Sequence, residues 1–139
     1  MIKIVLDTNV FVSGLLYGGM SHVILRLITD NKLQLCISDE LTKEVIEKFK
    51  AHEASEEQIA NVIEFLGKKG DFVIPTIKVI VSRDPKDNYL LELAETSLAD
   101  YLITRDKDLL ELPNGRWRHT IIIKPEDFLP LLRKMGLFK

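Results

Sequence analysis

Ile2-Lys3-Ile4-Val5-Leu6-Asp7 decides how this chain is read. Four of the five residues before the acid are large and apolar, and three of those are β-branched. The run shows little of the in-and-out alternation of a half-exposed strand. It therefore reads as a strand covered on both faces, as in a parallel sheet. Asp7 then falls just past the carboxyl end of a central strand. A carboxylate there is costly to desolvate unless something positive binds it.

Outward from that strand, strand and helix signals alternate to the end of the chain. Residues 10–17 read as one or two helical turns, broken at Gly18-Gly19. Ser21 is placed to cap a helix whose stripe is Ile24, Leu27 and Ile28. Leu33-Gln34-Leu35-Cys36-Ile37 reads as a second strand, and Ser38 caps a helix with the stripe Leu41, Val45 and Phe49. Ser55 and Gln58 fit a capping box ahead of Ile59, Val62, Ile63 and Leu66, with Gly67 and Gly70 ending that helix. Residues 72–80 hold a short strand interrupted at Pro75, which places it at a sheet edge or ends it there. A helix over about 85–96, a strand over 101–104, a short helix over 107–111 and a strand over 119–123 follow. A last helix opens at Pro125. This order predicts an α/β three-layer sandwich around a mainly parallel sheet. No linker interrupts it, so residues 1–139 are expected to form one domain.

The 139 residues are 46% hydrophobic, enough for a core without disulfide or metal staples. Nineteen basic residues face 21 acidic ones, for a net charge of −2. That balance excludes a disordered tail, a collagen-like repeat and a globally basic nucleic-acid coat. It does not exclude a basic patch. Cys36 is the single cysteine and has no internal partner for a disulfide, which fits a reducing cytoplasm. No run approaches the roughly 20 apolar residues of a membrane span. The opening apolar run is also too short and too early for a secretion signal.

In open parallel sheets, ligands bind beyond the carboxyl ends of the strands. The polar residues that follow strands are therefore the candidates, and acids recur there. Asp7 follows the first strand, Ser38-Asp39-Glu40 the second, Asp84-Pro85-Lys86-Asp87 the third, and Asp106 the fourth. Asp84 reads as a helix cap, with Pro85 at the first helical position. Asp87 would sit in the first turn, where an acid complements the helix dipole. It also precedes Leu90 and Leu91 by three and four residues, on the face that packs inward. Asp106 reads either as a cap for 107–111 or as a member of the mouth. On a helical wheel Glu44 lies about 100° from the centre of the Leu41, Val45 and Phe49 stripe, at its border. Two carboxylates about 5 Å apart repel by roughly 3 kcal/mol at an effective dielectric of 20. Protons or a cation must offset that, and Asp7 is expected to titrate above the ordinary carboxylate range. Oxygen-only donors favour Mg²⁺ or Mn²⁺ over Zn²⁺. His22, His52 and His119 show no metal-ligand spacing.

The ordered pieces resemble the PIN domain family of Mg²⁺/Mn²⁺-dependent ribonucleases. The closest likeness is to the toxin components of prokaryotic toxin–antitoxin pairs. The matching pieces are Leu6-Asp7-Thr8-Asn9-Val10 with Ser13, and Ser38-Asp39-Glu40-Leu41 with Glu44. Asp84-Pro85-Lys86-Asp87 and the run Ala99-Asp100-Tyr101-Leu102-Ile103-Thr104-Arg105-Asp106-Lys107-Asp108-Leu109-Leu110 complete them. The similarity runs from Ile2 to about Glu126. It implies a five-stranded parallel sheet and a metal site on Asp7, Glu44, Asp87 and Asp106, with Asp84 and Asp108 as further candidates. It implies that Thr8 or Asn9 holds the carboxylates or a metal-bound water, and it puts a hydroxyl at Thr104. It further implies cleavage of RNA to a 5′-phosphate and a free 3′-hydroxyl, dimerisation, and an inhibitory antitoxin partner.

Arg83, Lys86, Arg105 and Lys107 interleave with the acids. They either grip RNA phosphates or form a mixed solvated rim. Trp117, between Arg116 and Arg118, either stacks on an unpaired base or packs beside the last strand. No Ser/His/Asp or Cys/His nucleophile set is present. A phosphatase of the haloacid dehalogenase type needs a second acid two residues after the first, where Asn9 stands. A response-regulator receiver needs an acidic pair near the first strand, where Asp7 stands alone. A PIN fold kept only to bind RNA or protein would not need all four acids.

Overall fold

Successive side chains of a strand point to opposite faces. Ile4, Val5 and Leu6 are nevertheless all fully buried, so β1 (Ile2–Leu6) is covered by helices on both sides. The computed structural model describes residues 1–81 and 85–138, the side chains of 85 and 86 excepted. Within it β1 leads into α1 (Thr8–Val12), which continues as a π-helical turn over Ser13–Tyr17. Gly18 and Gly19, both at positive φ, swing the chain into α2 (Met20–Thr29). Next come β2 (Leu33–Ile37), α3 (Asp39–Ala51), α4 (Glu56–Lys69) and β3 (Gly70–Phe72). The chain ends with α5 (Pro85–Ser97), β4 (Tyr101–Ile103), α6 (Lys107–Leu110), β5 (Arg116–Trp117), β6 (Thr120–Ile123) and α7 (Pro125–Lys134).

The sheet has six strands in the order β3-β2-β1-β4-β6-β5. All pairs are parallel except β5 with β6. The expected five strands become six because Arg116–Trp117 folds back on β6, pairing Trp117 with Thr120 across a two-residue turn. The chain builds outward from β1 through β2 to β3, then returns to lay β4 on the other side of β1. The carboxyl ends of β1 and β4 therefore flank the point where the winding reverses, the usual ligand crevice of an open α/β sheet. Register brings the two ends level: Leu6 pairs with Ile103, and Ile103 with Ile123. The Asp7 amide donates to the Ile103 carbonyl at 3.0 Å, and the Thr104 amide to the Ile123 carbonyl at 3.0 Å.

Caps fix several helices as their sequences lead one to expect. The Leu41 amide donates to Ser38 Oγ at the start of α3, with Asp39 and Glu40 in its first turn and Lys48 and Lys50 in its last. Ser55 and Gln58 form the reciprocal capping box of α4. Ser21 does not cap α2. The helix starts one residue earlier, behind Gly19, and Ser21 is buried inside it. Gly67 lies within α4 and only Gly70 ends it. There a Cβ would come within 2.7 Å of the Leu66 carbonyl oxygen, so the tight passage into β3 requires glycine. The strand expected within 72–80 lies earlier: β3 is an edge strand over Gly70–Phe72, and residues 73–80 are outside the sheet. Among the described residues no single helix is long and apolar enough to cross a membrane.

Candidate metal centre

Asp7 is the pivot of the crevice. Its side chain is only 7% exposed, and one of its oxygens caps α1 by accepting from the Asn9 amide at 3.3 Å. Two fully buried threonine hydroxyls tie it to its neighbours. Thr104 Oγ1 donates to Asp7 Oδ2 at 2.6 Å and accepts from the Asp106 amide at 3.0 Å. Thr8 Oγ1 donates to Glu44 Oε1 at 2.8 Å and lies 3.4 Å from Asp7 Oδ1. Those two distances cap the separation of the Asp7 and Glu44 oxygens at about 6.2 Å. Glu44 thus turns inward from the border of the α3 stripe, with Lys48 3.9 Å from the same oxygen. Asn9 contributes its backbone, while its side chain is on the exposed surface.

Asp106 caps α6 through the Asp108 amide, at 2.9 Å, and faces the mouth as well. One carboxylate oxygen from each of Asp87, Asp106 and Asp108 lies within 4.8 Å of the others. Asp87 is buried, Asp106 half-buried and Asp108 exposed, so the group spans from the crevice to solvent. Opposite oxygens around an ion with bonds of about 2.1 Å stand about 4.2 Å apart, so this grouping is close to what a hard cation needs. The donor chemistry fits too, because every member is a carboxylate. The histidines stand elsewhere. His52 pairs with the Tyr17 hydroxyl, His22 with the Gly14 carbonyl and His119 with Asp100.

Burial pushes the Asp7 carboxyl above the ordinary range, the hydrogen bonds from Thr104 and the Asn9 amide oppose that, and Asp106 and Glu44 add to the rise. Like charge, the cause expected from the sequence, is therefore the smaller contribution.

The basic residues divide. The guanidinium of Arg105 is clamped, with Nε and Nη2 donating to Glu126 Oε1 at 2.9 and 2.5 Å and Nη1 to Ser21 Oγ at 3.3 Å. Lys107 is exposed. Arg83, Asp84 and the Lys86 side chain lie outside the described residues. Trp117 packs beside β6 and donates to Glu95 Oε1 at 2.8 Å, with Arg118 stacked 5.2 Å from its ring centre. That arrangement is the packing alternative.

Residues that sequence reasoning did not single out also shape the crevice. Asn88, Glu92 and Thr96, four residues apart on α5, accept from the amides of Val81, Val79 and Thr76 at 3.0–3.3 Å. This ladder straps the extended stretch after β3 along α5, and the fourfold spacing of polar residues was its sequence signal. Tyr89, next to Asn88, is 7% exposed beside Glu44.

A PIN domain family model matches residues 3–108. Uncharacterized protein MJ1680 of Methanocaldococcus jannaschii is 32% identical over 117 residues, covering 80% of this chain and 75% of that protein. Among solved structures, VapBC2 from Rickettsia felis bound to a DNA fragment from its promoter aligns with a TM-score of 0.63. It is 16% identical over 88% of this chain and 98% of that one. The RRP44 PIN domain of T. brucei aligns with a TM-score of 0.55, at 13% identity, over 97% of this chain and 83% of that one.

Proposed function

Because the chain belongs to the PIN domain family, we propose that it is a Mg²⁺- or Mn²⁺-dependent endoribonuclease, acting as the toxin of a toxin–antitoxin pair. The observation that carries this reading is the line of carboxylates at the β1–β4 crevice: Glu44, Asp7, Asp106, Asp87 and Asp108. Asp7, Glu44, Asp87 and Asp106 hold the ion in this proposal, and Asp108 stands at its solvent side. When bound, the ion supplies an acidified water and neutralises a phosphate oxygen. Thr8 and Thr104 keep the carboxylates in one orientation, so little reorganisation is left for the reacting state. A carboxylate at the mouth takes the proton of the attacking water. Lys107 meets the phosphate backbone, and Arg105 does so from its Glu126 clamp. The motif likeness to PIN-family toxins supports an antitoxin partner, a homodimer and a cytoplasmic setting, with residues 1–139 as one PIN-like domain.

The test is cleavage of unstructured RNA by the purified protein. Cutting with Mg²⁺ or Mn²⁺, a stop on adding EDTA, and 5′-phosphate ends are expected. Equal cutting in EDTA overturns the metal mechanism.

A further inference from the structure

The stretch between β3 and α5 has the composition of a strand but no strand beside it. Seven of the nine residues from Val73 to Val81 are β-branched. Their burial alternates as in an extended chain: Ile77 and Val79 face inward, while Thr76, Lys78 and Ile80 are exposed. Ile80 is 90% exposed and Val81 48%. Successive amides of an extended chain point to opposite edges. The Val79 amide donates to Glu92 of α5 at 3.0 Å and the Val81 amide to Asn88 at 3.2 Å. The amides of Lys78 and Ile80 therefore point along the other edge, and neither has a hydrogen-bond partner among the described residues. An open edge of β-branched residues is a template for another strand.

We propose that this edge joins a second copy of the chain, the two stretches pairing antiparallel about a two-fold axis at Val79. That register uses the open groups. Lys78 of each copy faces Ile80 of the other, and each such pair exchanges two backbone hydrogen bonds. The exposed Ile80 then lies on the aliphatic stem of the facing Lys78, and the exposed Val81 faces Ile77 of the other copy. No like charges meet. An axis at Lys78 would set two lysines face to face. An axis at Ile77 would need the Thr76 amide, which already donates to Thr96 Oγ1. The inference rests on the proposed function only for the homodimer, to which it gives an interface, and is independent of the metal.

The experiment reads the dimer dissociation constant by sedimentation equilibrium, with circular dichroism as the check on folding. Wild type is compared with Ile80→Lys, Ile80→Glu and the double variant Lys78→Glu/Ile80→Lys. The proposal expects a wild-type dimer. Ile80→Lys sets two lysine pairs against each other across the axis, so its dissociation constant should rise roughly tenfold. Ile80→Glu faces Lys78 instead and should dimerise as tightly as wild type or more tightly. The double variant restores opposite charges and should recover the affinity lost in Ile80→Lys. Equal weakening by Ile80→Lys and Ile80→Glu overturns the proposal, because apolar burial without this register would give it. A dimer that none of the substitutions alters forms through another surface and overturns it as well. A wild-type monomer at the highest soluble concentration also overturns it. Cleavage of RNA by that monomer with Mg²⁺, and none in EDTA, leaves the nuclease reading standing.

Discussion

Replacing Asp7 by asparagine should make the metal-free protein more stable and less active. The change removes one charge at nearly constant shape. Asp7 Oδ1 and Glu44 Oε1 are at most about 6.2 Å apart through Thr8. At an effective dielectric of 20 their repulsion is about 3 kcal/mol. The burial penalty of the ion adds to this. Against it stands the charged character of the bonds from Thr104 and the Asn9 amide, about 1.5–3 kcal/mol. The net relief is on the order of 1–3 kcal/mol, a rise of roughly 3–10 °C in melting temperature for a domain of this size. The pH dependence has a definite sign. A buried acid whose folded pKa is raised costs stability as pH climbs from its unfolded value, near 4, through the folded value. Wild type and Asp7→Asn should therefore melt alike near pH 4 in EDTA and separate as pH rises, the variant above. Mg²⁺ should raise the wild-type melting temperature more than the variant's, since a ligand stabilises only the state that binds it. Calorimetry or circular dichroism across pH 4–8, with and without Mg²⁺, reads both. A variant that melts lower at pH 7 in EDTA would make Asp7 a structural hydrogen-bonding residue and refute the reasoning.

Thr104→Val should destabilise the protein by about 1–3 kcal/mol, because it strips the donor from Asp7 and the acceptor from the Asp106 amide in a buried place. It should also lower RNA cleavage, and urea unfolding alongside a cleavage assay separates the two effects. Ser38→Ala removes the cap of α3 and should cost about 1 kcal/mol in the same unfolding experiment. Its Mn²⁺ affinity should stay at the wild-type level, since the Ser38 hydroxyl is given to the Leu41 amide at the helix start.

How much could be read from residues alone depended on the range of the interaction. β1 and the buried place of Asp7 follow from an apolar run ending in an acid, and the caps at Ser38 and Ser55 follow from local hydrogen bonding. The inward turn of Glu44 follows from helical geometry, because the position borders a stripe that must be buried. The sixth strand was not legible. It spans two residues, and its turn places Arg118 at positive φ without the Asn-Gly or Asp-Gly pair that signals a hairpin. Ser21 looked like a cap, yet the Gly18-Gly19 bend starts α2 ahead of it, and its hydroxyl accepts from Arg105. The nearness of Asp87 to Asp106 and Asp108 arises from where α5 and α6 flank the sheet, a long-range consequence of strand order. Thr8 and Thr104 entered through resemblance to a family. Their bridging of Asp7 to Glu44 and to the Asp106 amide emerges only from register.

The most direct test of the central claim is anomalous diffraction from crystals of this protein soaked in Mn²⁺. The account predicts a peak at the β1–β4 crevice, with carboxylate oxygens of Asp7, Glu44, Asp87 and Asp106 about 2.1 Å from the ion or one water away. No peak at the crevice at saturating Mn²⁺, or an ion held only at another place on the surface, would contradict it.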